Sequence, residues 1–195
     1  TSMIPYYFDI PELELPEEIL SVPYRQHPSD FMSPSGLGMG GTTFQYRAVP
    51  TNWHNIVKSH LDSKVNLKFG ALTLLNTNGG GSSPWHAEGP NLFGRQCALN
   101  FCIQGDIENS YVQWCSRGDE DILTNDTRGA WWEHEDLSVL AEHRMVENKA
   151  TIYNTMHWHR VFNFTEVNRI VVSAAINSPI EEVYEKYQSG ELINE

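Results

Sequence analysis

His86-Ala87-Glu88 and a distant His159, followed ten residues later by Arg169, are the side chains of this sequence best suited to chemistry. Two imidazoles and one carboxylate can grip a ferrous ion on one face and leave its other positions open for small reactants. In an extended segment residues i and i+2 project to the same side, so His86 and Glu88 converge while Ala87 turns away. His159 then brings a second strand to the same ion, and His157, two residues earlier on the same strand face, is the alternative third ligand. Arg169 lies beyond the turn 164–168 on the neighbouring strand of a hairpin. Its planar guanidinium matches a carboxylate in a bidentate way that lysine cannot reproduce. Ser173, four residues on and on the same face, can donate a further hydrogen bond. A His-x-Glu pair alone arises often by chance, and a lone strand arginine is ordinarily solvated. Their joint occurrence is what points to a site.

These residues need strands to position them, and the patterning supplies strands. Leu67–Asn76, Gln96–Gln104, Ser110–Cys115, Lys149–Asn154, His159–Asn163 and Arg169–Asn177 read as strands. The last alternates cleanly: Ile170, Val172, Ala174 and Ile176 point one way, Arg169, Val171, Ser173 and Ala175 the other. Gly79-Gly80-Gly81-Ser82-Ser83-Pro84 breaks the first strand just before the His86 triplet, which places the triplet at a strand-loop junction.

Two amphipathic helices flank the strands. Thr51–Leu61 puts Trp53, Ile56, Val57, His60 and Leu61 on one stripe, with Thr51 or Asn52 as cap. A C-terminal helix over 178–190 buries Ile180, Val183, Tyr184 and Tyr187; Ser178 serves as N-cap, Pro179 sits in the first turn, Glu181 completes a capping box and Gly190 stops the helix. Gln26–Thr43 reads as a long loop, and Arg117–Asn148 as a polar flap with a short helix near Asp136–Arg144. Many short strands with helices at the margins predict a β-sandwich or barrel of α+β content, a single domain with a core about 65–177.

Bulk composition narrows the function classes. The 195 residues are 40% hydrophobic and 11% aromatic, which favours one folded domain over disorder. A formal net charge of −12 repels a phosphate backbone, so nucleic acid is not an expected partner. Apolar runs such as 170–176 are too short to cross a bilayer, and the opening residues carry no export signal. Three cysteines, Cys97, Cys102 and Cys115, form neither a disulfide framework nor a zinc knuckle, and read as inert packing thiols in a reducing cytoplasm.

His86-x-Glu88, His159 with Arg169 ten residues later, and the stretch Tyr153-Asn154-Thr155-Met156-His157-Trp158-His159-Arg160-Val161-Phe162-Asn163 resemble the iron(II)/2-oxoglutarate-dependent dioxygenases. The closest flavour is that of small bacterial and phage oxygenases akin to the aspartyl/asparaginyl β-hydroxylase type. There a segment like Leu99-Asn100-Phe101-Cys102-Ile103 precedes one like Glu108-Asn109-Ser110-Tyr111-Val112-Gln113-Trp114. The resemblance covers about Leu72 to Ile176 and rests on spaced residues more than on continuous similarity. It implies a double-stranded β-helix, or jelly roll, with Fe(II) on His86, Glu88 and His159. It also implies that Arg169 and Ser173 hold the distal carboxylate of the co-substrate 2-oxoglutarate, with O₂ as oxidant. The pattern Asn-Thr-x-x-x-His-x-Val-x-Asn favours His159 over His157. Glu88 stands where Asp is the commoner ligand and is one methylene longer.

The resemblance implies hydroxylation of a small molecule or a peptide side chain, and a monomer or homodimer is expected, with neither nucleic acid nor membrane as partner. Gln96, Asn100 and Cys102 fall on a face that can line the co-substrate pocket, Asn100 foremost and Arg95 beside them. Trp85 and Trp158 flank the ligand segments and are expected to wall the cavity. Trp131, Trp132, Glu133, His134, Glu135 and His143 hint at a second metal cluster, but a solvated flap explains them better. Gly79-Gly80-Gly81 is no phosphate loop, because no Lys-Ser/Thr and helix follow it. The competing readings are a non-oxidative cupin-like metal or carboxylate binder, a zinc hydrolase, and a non-enzymatic β-sandwich interaction module.

Overall fold

Strand β11 (Arg169–Ile176) is buried at every position, so both of its faces pack against something. That one observation sets the architecture: a central strand with a helix layer on one side and a second sheet on the other. The computed structural model describes residues 4–21, 44–89, 95–105, 108–116, 129–132 and 137–195, with backbone alone at 21, 44–47 and 129–132. The Gln26–Thr43 loop and most of the 117–148 flap lie outside the described residues.

In chain order the elements are β1 (Tyr7–Ile10), α1 (Glu17–Ser21), β2 (Phe44–Ala48), α2 (Thr51–Lys64), β3 (Phe69–Thr77), β4 (Trp85–Glu88), β5 (Cys97–Gln104), β6 (Ser110–Ser116), β7 (Gly129–Trp132), β8 (Ser138–His143), β9 (Ala150–Asn154), β10 (His159–Asn163), β11 and α3 (Ile180–Gln188). They form two antiparallel sheets, one ordered β1-β9-β5-β11-β3-β2 and the other β7-β4-β10-β6-β8. Within them, β9-β5-β11-β3 faces β4-β10-β6-β8, and successive strands from β3 to β6 and from β8 to β11 alternate between the sheets. Eight strands wound in this way are a jelly roll. Strands β1, β2 and β7 extend its edges.

Each layer has its own core. Ile170, Val172, Ala174 and Ile176 face outward and pack with Trp53, Val57 and Leu61 of α2 and with Ile180 and Val183 of α3. Val171 faces inward and packs with Val112, Trp114, Tyr153 and Val161 between the sheets. The alternation read from the sequence is therefore real, yet neither face of β11 is solvated. Ser173 and Arg169 are as buried as the valines beside them.

Three local expectations are corrected. The helix predicted near Asp136–Arg144 is instead strand β8, paired with β6 from Val112↔His143 to Ser116↔Ser138. Ala, Leu and Glu favour helix locally, but the backbone groups on the open edge of β6 bind this segment in extended form. Neither Thr51 nor Asn52 caps α2, and Ser178 with Glu181 forms no capping box on α3: in both helices a proline, Pro50 or Pro179, takes the N-cap position with no side-chain cap bond. The φ of proline is already set for the helix start, and the Pro50 and Pro179 carbonyls receive the first N–H groups directly. Gly190, at φ 78°, ends α3 as expected. No helix among the described residues is long and apolar enough to cross a membrane.

Candidate metal centre

The short β4 owes its position to its neighbours. On its outer face Trp85 and Ala87 pack with Cys115 and Trp158 into a small apolar cluster, which leaves His86 and Glu88 facing inward by strand alternation. Strand β10 lies antiparallel to β4 with His159 opposite His86. The two imidazole rings stand 4.3 Å apart between centroids. Glu88 Oε1 lies 4.0 Å from His159 Nε2. One ligand atom from each of His86, Glu88 and His159 falls within 4.8 Å of the others, a spread that a single cation can bridge.

Both imidazoles are held in the tautomer a metal needs. His86 Nδ1 donates to the Pro84 carbonyl at 2.9 Å, and His159 Nδ1 to the His157 carbonyl at 2.8 Å. A carbonyl only accepts, so the proton sits on Nδ1 and the Nε2 lone pair is free for an ion. Burial drives both groups below the ordinary imidazole range, and His159 falls well below it with His86 as its near neighbour. Neutral imidazoles are therefore available at pH 7.

The structure brings His159, not His157, to the cluster. His157 is buried, its ring edge-on to Tyr6 at 4.9 Å, and its backbone carbonyl is what orients His159. Glu88 also meets Arg95, whose Nη1 donates to Oε2 at 3.4 Å while Nη2 donates to Ser173 Oγ at 3.2 Å. Two buried polar atoms beside the cluster, Arg95 Nε and Thr155 Oγ1, have no hydrogen-bond partner among the described residues.

Arg169 lines the same cavity as His86, Glu88 and His159. It is 4% exposed, and its polar contact among the described residues is the thioether of Met145, 3.1 Å from Nη2. A buried guanidinium without a carboxylate is costly, and an anionic ligand would satisfy it. Ser173 lies further along the same strand. At about 3.3 Å per strand residue it sits roughly 13 Å along β11 from Arg169, and its hydroxyl meets Arg95 at the Glu88 end. Asn100 lines the cavity and bonds back to the Ala98 carbonyl.

Other expectations change. Trp85 and Trp158 do not line this cavity; both lie in the apolar cluster behind β4, because strand alternation turns Trp85 away from His86. Gln96 bonds to Asn177 near the surface. Glu133, His134 and Glu135 lie outside the described residues. His143 is not part of a solvated flap but a buried residue of β8. All three cysteines are free and buried, and burial pushes the thiols of Cys97 and Cys102 up. Tyr153 and Thr155 also line the cavity. Both fall in the stretch 153–163 that carries the resemblance, but alternation, which strands show everywhere, does not single them out as lining residues.

No family model matches this chain, and no curated protein matches it in sequence. Solved structures similar to it include the epimerase SnoN in complex with Fe3+, alpha ketoglutarate and nogalamycin RO, at 12% identity, TM-score 0.45, over 69% of this chain and 63% of that one. The vicilin from Solanum melongena is similar at 12% identity and TM-score 0.41, over 71% of this chain and 29% of that one. The polyketide cyclase RemF from Streptomyces resistomycificus is similar at 11% identity and TM-score 0.38, over 80% and 81%. The chain thus spans under a third of the vicilin and under two thirds of the epimerase. At these levels the strand order described above, and not any one neighbour, defines the fold.

Proposed function

We propose that this protein is an Fe(II)- and 2-oxoglutarate-dependent oxygenase that hydroxylates a small molecule or a peptide side chain. One observation carries the reading: a His-Glu-His cluster with free Nε2 lone pairs shares a cavity with a buried arginine that has no carboxylate partner among the described residues. The donor set fits a ferrous ion, since two neutral imidazoles and one carboxylate form a single face and leave other positions open. When bound, the iron and 2-oxoglutarate supply the oxidising power for inserting oxygen into a C–H bond.

The chain's own residues supply placement. His86, Glu88 and His159 hold the ion, with rings fixed by the carbonyls of Pro84 and His157. Arg169 takes the far carboxylate of the co-substrate. The apolar lining from Leu75, Val112, Val161 and Val171 excludes water from the reacting space. Incubation with Fe(II), ascorbate and 2-oxoglutarate is expected to release succinate above a His159→Ala control. Equal succinate from both proteins, with iron bound to the wild type, would remove the activity.

A second reading draws on the Arg95–Glu88 ion pair, which also suits a non-oxidative cupin-like carboxylate binder whose glutamate stays neutralised by arginine. Anaerobic addition of 2-oxoglutarate to the Fe(II) protein separates the two. A weak visible charge-transfer band belongs to the oxygenase alone.

A further inference from the structure

Behind the Arg169 end of the cavity, three polar side chains from three strands run from the cavity wall to the surface. Tyr153 of β9 lines the cavity, and its hydroxyl lies 2.9 Å from His143 Nδ1 on β8. On the other side of the ring, His143 Nε2 lies 2.9 Å from Asp9 Oδ1 on β1. Thr151 Oγ1 donates to the same Asp9 oxygen at 2.8 Å. The Tyr153 and His143 side chains are buried, whereas the Asp9 side chain is 54% exposed and meets solvent.

The hydrogens follow from the chemistry of the partners. Asp9 carboxylate only accepts, so Nε2 carries the proton and Nδ1 of the neutral ring is left to accept from the Tyr153 hydroxyl. In that state Tyr153 spends its one donor on His143 and offers the cavity only lone pairs. If the ring gains a proton at Nδ1, the order reverses. His143 then donates to the tyrosine oxygen, and the Tyr153 O–H is released into the cavity beside Arg169.

Burial comes first in keeping the His143 ring neutral, and the charges around it decide how far. Asp9 on β1 favours the charged ring, with Tyr7 of the same strand packed against it at 4.2 Å between centroids. Burial above all, and after it Arg169 on β11, oppose it. Tyr153 on β9 is neutral, its ionisation pushed up by burial. The partner on β6 across the ladder is the apolar Val112. On its own strand Glu142 faces Gln113 outside the barrel, with Arg144 nearby. Among the described residues Arg169 is thus the cation that adds to burial in holding the proton off, and no carboxylate of those residues pairs with it.

We infer that binding of a carboxylate at Arg169 captures one proton on His143, and that Tyr153 thereby becomes a second hydrogen-bond donor to the same carboxylate. An anion at Arg169 cancels the guanidinium's effect on the ring, so that burial alone is left to oppose Asp9. The balance is simple: one proton leaves bulk water, one N–H bond forms at Nδ1, and the buried negative charge of the ligand is matched. The cavity so built prefers a ligand that accepts from both groups, a carboxylate over a neutral amide of equal size. The inference rests on the oxygenase reading only for the identity of the anion.

Calorimetry on the Zn(II)-loaded full chain at pH 7, with 2-oxoglutarate as probe, tests it. Binding heats in buffers of low and high ionisation enthalpy should report uptake of up to one proton in the wild type and none in His143→Gln, with Tyr153→Phe binding several-fold more weakly. An equal proton count in wild type and His143→Gln overturns the proposal. A second measurement needs no bound oxoacid: the NMR titration midpoint of the His143 ring should rise in Arg169→Gln and fall in Asp9→Asn. A midpoint unmoved in Arg169→Gln overturns the coupling whether or not 2-oxoglutarate binds. A shifted midpoint in a protein that ignores 2-oxoglutarate upholds the coupling and removes the co-substrate assignment instead.

Discussion

His86 and His159 are direct partners across the β4–β10 ladder, and each donates its Nδ1 proton to the carbonyl two residues before it. The same local device on two strands presents two Nε2 lone pairs to one point. Neither ring has to rotate or change tautomer to take up an ion, so the organisation needed for binding is already present in the fold.

A divalent ion should therefore stabilise the native chain by mass action. At a free concentration 100 times the Kd the gain is about 2.7 kcal/mol, a rise of several degrees in melting temperature for a domain of this size. His159→Ala should lose that rise for Mn(II) and Zn(II) alike. Thermal unfolding with and without metal measures it, and an equal rise in the variant would show that the ion sits elsewhere.

Much of this was legible in the sequence because strand alternation is a strict rule. It placed His86 and Glu88 on one side, put Arg169 in register with Val171 and Ser173, and separated Ile170 and Val172 onto the helix-packed face. Sequence could not say what each face meets. Both faces of β11 are buried, and only the strand order of the two sheets decides that. For the same reason sequence could not foresee that Ser173 meets Arg95: a shared face with Arg169 fixes direction, while four residues of strand set the distance. The helix expected near Asp136–Arg144 shows the converse limit, since a local helix preference yields to the pairing edge of a distant strand. The buried place of His143 was not readable, because its partners Asp9 and Tyr153 come from two other strands.

The buried imidazoles make stability depend on pH. His86, His143 and His159 all titrate below the ordinary value of 6.5 in the folded chain, chiefly through burial. In the unfolded chain they regain that ordinary value. Between the folded and unfolded values the unfolded state binds more protons, so stability is full above pH 6.5 and declines as pH falls below it. Denaturant titrations of the metal-free protein should give a flat region near pH 7.5 and a falling one toward pH 5. A His159→Gln variant should fall less steeply. Stability that rises on acidification through this window would contradict neutral buried rings.

Asn163 ties the end of β10 to the turn that leads to Arg169. Fully buried, it donates from Nδ2 to the carbonyls of Thr77, Asn78 and Val167 and accepts at Oδ1 from the N–H and hydroxyl of Thr165. Alanine would leave these groups unpaired. We expect Asn163→Ala to cost about 2–3 kcal/mol, since each lost bond and orphaned group contributes of order 1 kcal/mol and part of the deficit is met by water. A lowered denaturant midpoint at unchanged slope is the expected signature. A midpoint within error of the wild type would mean that water replaces the whole network.

Arg169 and Ser173 should separate in function as they do in space. Arg169→Lys keeps the charge but loses the bidentate fork, so 2-oxoglutarate should bind about 10-fold or more weakly, the scale of one charge-assisted hydrogen bond. Ser173→Ala removes a hydroxyl that accepts from Arg95 and lies away from Arg169. With that anchor gone, Arg95 keeps its contact with Glu88 and competes more freely with the ion for the carboxylate. Metal affinity should fall in Ser173→Ala, while the Kd for 2-oxoglutarate at saturating metal changes less than about threefold, below 1 kcal/mol. Calorimetric titration of each variant with Zn(II), and then with the oxoacid, reads the two effects apart. A Ser173→Ala protein that holds metal normally but loses 2-oxoglutarate as Arg169→Lys does would return Ser173 to the carboxylate site.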